Sequence, residues 1–206
     1  MPPWKPAPGY GHFIGARRLT SEEIETIDRW VMGGALEGRT ADLPSPPRWI
    51  KGWQLGTPDL IVRMPEPFEL PADGPDVFRT FVIPIPVSAP LYVKALEFQP
   101  GTRAVHHATM LVDKTPASRQ RDEEDPMPGY DGEFAPSADY PSGHFLGWAP
   151  GQLLPVAWNE FAWPLTPGTD LVVQLHLKPT GKSELVQVTI GFFFTSNPPP
   201  RTLSQS

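Results

Sequence analysis

The sequence predicts an all-β chain, a sandwich or jelly roll with one short helical extension at its N-terminus, on three observations. Proline occupies 29 of 206 positions, far above the usual ~5%, and each proline removes a backbone donor and opposes helix. Apolar runs rich in Val, Ile, Leu and Phe alternate with turn-forming clusters such as Pro71-Ala72-Asp73-Gly74 and Pro179-Thr180-Gly181-Lys182. A single segment near the start repeats its apolar residues at helical spacing.

That segment opens with Thr20-Ser21-Glu22-Glu23, a capping box with Thr20 as N-cap and Glu23 at the third helical position. Ile24, Ile27, Trp30 and Val31 then recur on one face until Gly33-Gly34. Residues 1–38 therefore read as a helical extension, and residues 39–52, broken by Pro44, Pro46 and Pro47, as a linker. The β-rich body covers residues 53–197. Its expected strands are Leu60 to Met64, Val77 to Ile85, Tyr92 to Phe98, Val105 to Val112, Leu171 to Leu177 and Leu185 to Phe194. Residues 113 to 155 read as one long connection, either a functional loop or a solvated excursion. Residues 198–206, opening on Pro198-Pro199-Pro200, read as a tail or the start of an interdomain linker.

Charge and composition remove several classes of function. Lys plus Arg number 17 against 23 for Asp plus Glu, a net charge of -6, so no basic surface awaits a phosphate backbone and nucleic acid is not an expected partner. With no cysteine there are no disulfides, no thiolate metal ligands and no haem held by a C-x-x-C-H motif. No apolar run approaches the ~20 residues that span a bilayer, and no signal-peptide core follows Met1. A chain without membrane insertion or targeting is the expectation.

The histidines carry the chemistry. His106 and His107 sit side by side in Ala104-Val105-His106-His107-Ala108-Thr109-Met110-Leu111-Val112, and His176 lies in Leu171-Val172-Val173-Gln174-Leu175-His176-Leu177. Alternation puts Val173, Leu175 and Leu177 on one face and Gln174, His176 and Lys178 on the other, so His176 faces a polar surface. Adjacent residues on a regular strand point to opposite faces, so His106 and His107 reach one ion only if a bulge or strand end intervenes. Three imidazoles so gathered suit copper or zinc. The alternative is that one ring caps a backbone carbonyl and the other is half exposed.

Val105-His106-His107-Ala108, then Gly147-Trp148-Ala149-Pro150-Gly151, then Leu171-Val172-Val173-Gln174-Leu175-His176 together resemble the N-terminal domain of the copper type II, ascorbate-dependent monooxygenases. This is the group of the peptidylglycine α-hydroxylating and dopamine β-monooxygenases, and the likeness is to its bacterial members, over residues 53 to 196. The resemblance implies a jelly-roll β-sandwich and one electron-passing copper held by His106, His107 and His176. It also implies ascorbate as reductant, a periplasmic or secreted setting, and a partner: a second copper-binding β-sandwich domain where oxygen chemistry occurs. No second histidine pair followed by a ligand methionine is present here, so the hydroxylating half is expected to lie outside this chain. Met1-Pro2-Pro3-Trp4, with the helix around Glu22 to Val31, resembles the end of a bacterial c-type cytochrome domain, whose methionine in such a segment is the axial haem ligand.

Two other classes stay open: a non-enzymatic module that stores or delivers copper, and a carbohydrate- or protein-binding sandwich with structural histidines. His144 is a further candidate ligand or partner of a ligand, against ordinary solvation; His12 has no evident partner. Met110, with the strand parity of His106, is either a thioether ligand or core. Asp122-Glu123-Glu124-Asp125 reads as a solvated charge run. Phe192-Phe193-Phe194 reads as core, or as a patch that a partner domain covers.

Overall fold

A computed structural model describes residues 18–46, 50–152 and 161–199; Met1-Pro2-Pro3-Trp4, His12 and residues 200–206 lie outside them. The chain divides into two compact units, residues 1–49 and 50–206.

In the first unit, α1 (Ser21–Met32) begins as the sequence dictates. The Thr20 side chain accepts from the Glu23 N–H, and the Glu23 carboxylate accepts from the Thr20 N–H at 2.6 Å. These two bonds satisfy donors that a helix start otherwise leaves unpaired. The helix ends at Gly33, and its apolar stripe of Ile24, Ile27, Trp30 and Val31 is exposed.

The second unit is an all-β sandwich with ten strands among its described residues: β1 (Leu60–Arg63), β2 (Phe68–Leu70), β3 (Val77–Pro84), β4 (Leu91–Gln99), β5 (Val105–Asp113), β6 (Leu146–Trp148), β7 (Trp163–Leu165), β8 (Asp170–Leu177), β9 (Glu184–Val186) and β10 (Thr189–Thr195). They form antiparallel sheets of order β1-β10-β4-β7 and β3-β8-β5-β6, plus the pair β2-β9. One apolar core joins them. Val173, Leu175 and Leu177 of β8 meet Ile190 and Phe192 of β10 and Leu165 of β7, all without solvent exposure. Burying each such side chain contributes about 1.5–3 kcal/mol. The alternation expected in β8 holds: odd residues face this core, while Gln174 and His176 face outward. Phe192 is core and Phe193 is also buried, so the aromatic run is not an uncovered patch.

Two expectations need correction. Leu185 to Phe194 is two strands rather than one: β9 pairs with β2, and β10 with β1 and β4. The chain changes sheets at Gln187-Val188, where Val188 O accepts from the Met64 N–H at 3.1 Å and Gln187 Nε2 donates to Met64 O at 2.8 Å. Residues 113 to 155 are not one structureless connection, for they contain α2 (Ala117–Glu124) and β6. Asp113, fully buried, organises the start of α2 by accepting from Ser118 N and Oγ and from Thr115 N and Oγ1. Burial pushes the Asp113 carboxyl up, and these bonds with that of Ser137 more than offset it, leaving its pKa below the usual carboxylate value.

The acidic run is likewise more than a solvated face. Asp125 pairs with buried Arg79 at 2.7 Å, and Arg79 also donates to Asp131 and to the carbonyls of Met127, Pro128 and Gly129. This clamp lays Tyr130 against the edge of β3, where Thr80 and Tyr130 exchange backbone bonds of 2.8 and 2.9 Å. A side chain at Gly129 would put its Cβ 2.6 Å from Thr80 O, and φ there is +74°, so the close approach requires glycine.

Candidate metal centre

The site lies on the outer face of the β3-β8-β5-β6 sheet, where β5 and β8 run antiparallel. Val105 pairs with Leu177 and His107 with the next residue back, His176, so His106 has no counterpart on β8. This is a β-bulge of one residue. It resolves the difficulty of adjacent histidines: Val105 stays in the core, His107 stands outside beside His176, and the extra residue lets His106 join them. The imidazole centroids are 5.1 Å apart for His106 and His107, 4.8 Å for His106 and His176, and 4.6 Å for His107 and His176.

Each of the three offers a ligand nitrogen within 4.8 Å of the other two. His107 Nε2 and His176 Nδ1 lie 2.9 Å apart. Tetrahedral bonds of about 2.0–2.1 Å hold ligand atoms roughly 3.3 Å apart, so modest side-chain rotation brings these nitrogens to one ion. The donor set fits copper or zinc: three neutral imidazoles and no thiolate. Among the described residues these three form the one group of His, Asp and Glu side chains with such geometry. His106 is exposed and the other two are half-buried, so one side of the site opens to solvent.

Two further residues shape the site. Asp76, immediately before β3, has Oδ2 2.7 Å from His176 Nε2. Phe78 is the β3 partner of His176, and its ring stacks on the imidazole at 4.2 Å with 14° between planes. The hydrogen bond from His176 holds the Asp76 carboxyl below its ordinary pKa. His107 is also depressed, first by desolvation and then by the neighbouring charges of His176 and His106, which favours the neutral form a metal needs. Sequence reasoning missed Asp76 and Phe78, because only the pairing of β3 with β8, about a hundred residues away, places them here.

The other candidates lie elsewhere. Met110 is buried in the core, since the bulge puts His106 out of step with the parity of Ala108 and Met110. Both Met110 and His144 line a cavity of about 250 Å³ at the sandwich edge, with Phe98, Trp148 and Trp163. His144 directs its ring nitrogens at backbone carbonyls, Nδ1 at Pro141 O at 3.0 Å and Nε2 at Phe161 O.

No family model matches this chain, and neither does any curated protein or solved structure. Fold and site together define an all-β sandwich bearing a three-histidine candidate metal centre. No helix among the described residues is long and apolar enough to cross a membrane.

Proposed function

We propose that this chain binds one copper ion through His106, His107 and His176 and serves as the electron-transferring half of an ascorbate-dependent monooxygenase. The observation that carries the reading is the convergence of three imidazoles from a bulged strand and its neighbour, with His106 exposed. Copper held by these three imidazoles would supply one-electron chemistry between Cu(II) and Cu(I), since all-nitrogen ligation suits both states. Ascorbate is the electron donor in this reading, and a second copper-binding β-sandwich domain, where oxygen is activated, is the acceptor. The strand orders β1-β10-β4-β7 and β3-β8-β5-β6 support a jelly-roll winding, which the same resemblance implies.

The test is electron paramagnetic resonance with one equivalent of Cu(II). A type II spectrum with nitrogen coupling is expected, to be lost in His176→Ala and bleached by ascorbate. The same chain, given oxygen, is expected not to hydroxylate peptidyl or phenethylamine substrates. An unchanged spectrum in His176→Ala overturns the site. Copper binding without reduction by ascorbate points instead to a storage or delivery module. Stoichiometric, substrate-dependent oxygen consumption at one copper per chain overturns the division of labour.

A further inference from the structure

We infer that Asp76 is a positioning residue that fixes which nitrogen His176 presents to a metal and strengthens that nitrogen's hold on a dication. The inference rests on the reading of the triad as a metal centre. A histidine side chain on a strand has two torsions to settle, and an unrestrained ring samples several orientations. At His176 both are restrained from one neighbouring strand. Phe78 stacks on the ring with 14° between planes and fixes the plane. Asp76, immediately before that strand, engages Nε2 at 2.7 Å and fixes the direction within that plane.

The chemistry follows from the atoms. A carboxylate only accepts, so Nε2 of His176 carries the proton and donates it, and in the neutral ring the lone pair is then on Nδ1. That is the nitrogen 2.9 Å from His107 Nε2, on the triad side of the ring. A carboxylate behind a ligand imidazole orients it and raises its basicity. It also places a negative charge one ring away from the ion, which favours Cu(II) more than Cu(I). The side chain of Asp76 is partly exposed, at 39%, and its role is directional rather than part of the core.

The experiment compares the wild-type chain with Asp76→Ala, Asp76→Asn and His176→Ala, all first shown to keep the wild-type circular dichroism. In the metal-free protein, the His176 Nε2 proton is expected to give a resolved one-bond proton–nitrogen correlation that Asp76→Ala loses. Competition titrations should show Cu(II) binding about 10–100-fold weaker in Asp76→Ala, with a smaller loss for Cu(I). Asp76→Asn retains an acceptor oxygen and should recover part of that loss. Cu(II) affinity in Asp76→Ala within about twofold of wild type, while His176→Ala abolishes binding, overturns the inference and leaves the metal site standing. Wild-type affinity in His176→Ala removes the metal site itself.

Discussion

Val105 and His107 face opposite sides of their sheet although only one residue separates them: Val105 packs in the core against the sandwich interior, and His107 meets His176 outside. Residues two apart on a regular strand share a face, so the offset is the work of His106 alone. Deleting His106 is expected to heal the ladder, with Val105 opposite Leu177 and His107 opposite His176 in unbroken register. Stability should stay within about 1 kcal/mol of the parent, as for changes outside the core. Copper affinity should fall more than about 100-fold, beyond the usual effect of losing a partner behind a ligand. Denaturant melts and metal titrations on the deletion and on His106→Ala check both halves, and wild-type affinity in either variant refutes His106 as a ligand.

Copper should act as a stabilising ligand of the folded chain. At free Cu(II) one hundred times the dissociation constant the gain is about 2.7 kcal/mol, read as a rise in melting temperature that His176→Ala removes. A shift that survives in the mutant shows binding elsewhere on the chain.

The depressed His107 pKa predicts a pH dependence in the metal-free protein. Its folded value lies below the ordinary 6.5, so over the interval below 6.5 the unfolded chain binds more protons than the folded one. Stability is then complete above about pH 6.5 and declines as pH falls toward the folded value. Asp76 and Asp113 are depressed from 3.8, so their contributions are lost only at much lower pH. Melting temperatures from pH 7.5 to 5 should therefore fall, and His107→Ala should flatten part of the slope. A slope untouched by the mutation assigns it to other groups.

Among the described residues Arg79 is the most connected cation of the sandwich, 3% exposed, with Asp125 at 2.7 Å, three carbonyls, and the Phe68 ring 5.4 Å from its guanidinium carbon. Arg79→Ala removes the Asp125 ion pair and leaves the buried Gly129 carbonyl without its Arg79 donor, and a loss of about 1–3 kcal/mol is expected. Arg79→Lys should not restore it, since an ammonium cannot reproduce the planar fork that reaches several acceptors at once. Limited proteolysis should cut first between Asp125 and Asp131 in either variant. Wild-type resistance there contradicts the clamp.

How much of this was legible in the residues depended on length. β3, β4, β5 and β8 have eight or nine residues, enough for apolar patterning to declare itself. β6 and β7 have three each, too few to declare a pattern, and they exist because the nine-residue β5 and β4 supply the ladder; β2 and β9, also three each, pair only with one another. The helix Ala117–Glu124 is polar nearly all round and buries only Ser118; its start depends on Asp113, a contact invisible to periodicity. At the site, the three histidines and the need for a bulge or a strand end could be read from the chain. Asp76 could not, because its relation to His176 exists only through strand pairing.

The triad stands on the outward face of its sheet, with His106 in contact with solvent, and the sealed core lies behind it. An ion therefore reaches or leaves these nitrogens without parting the two sheets. If the triad holds copper as proposed, loading and stripping by a chelator should take place at the pace of ligand exchange at an open surface, decoupled from the far slower opening of the domain.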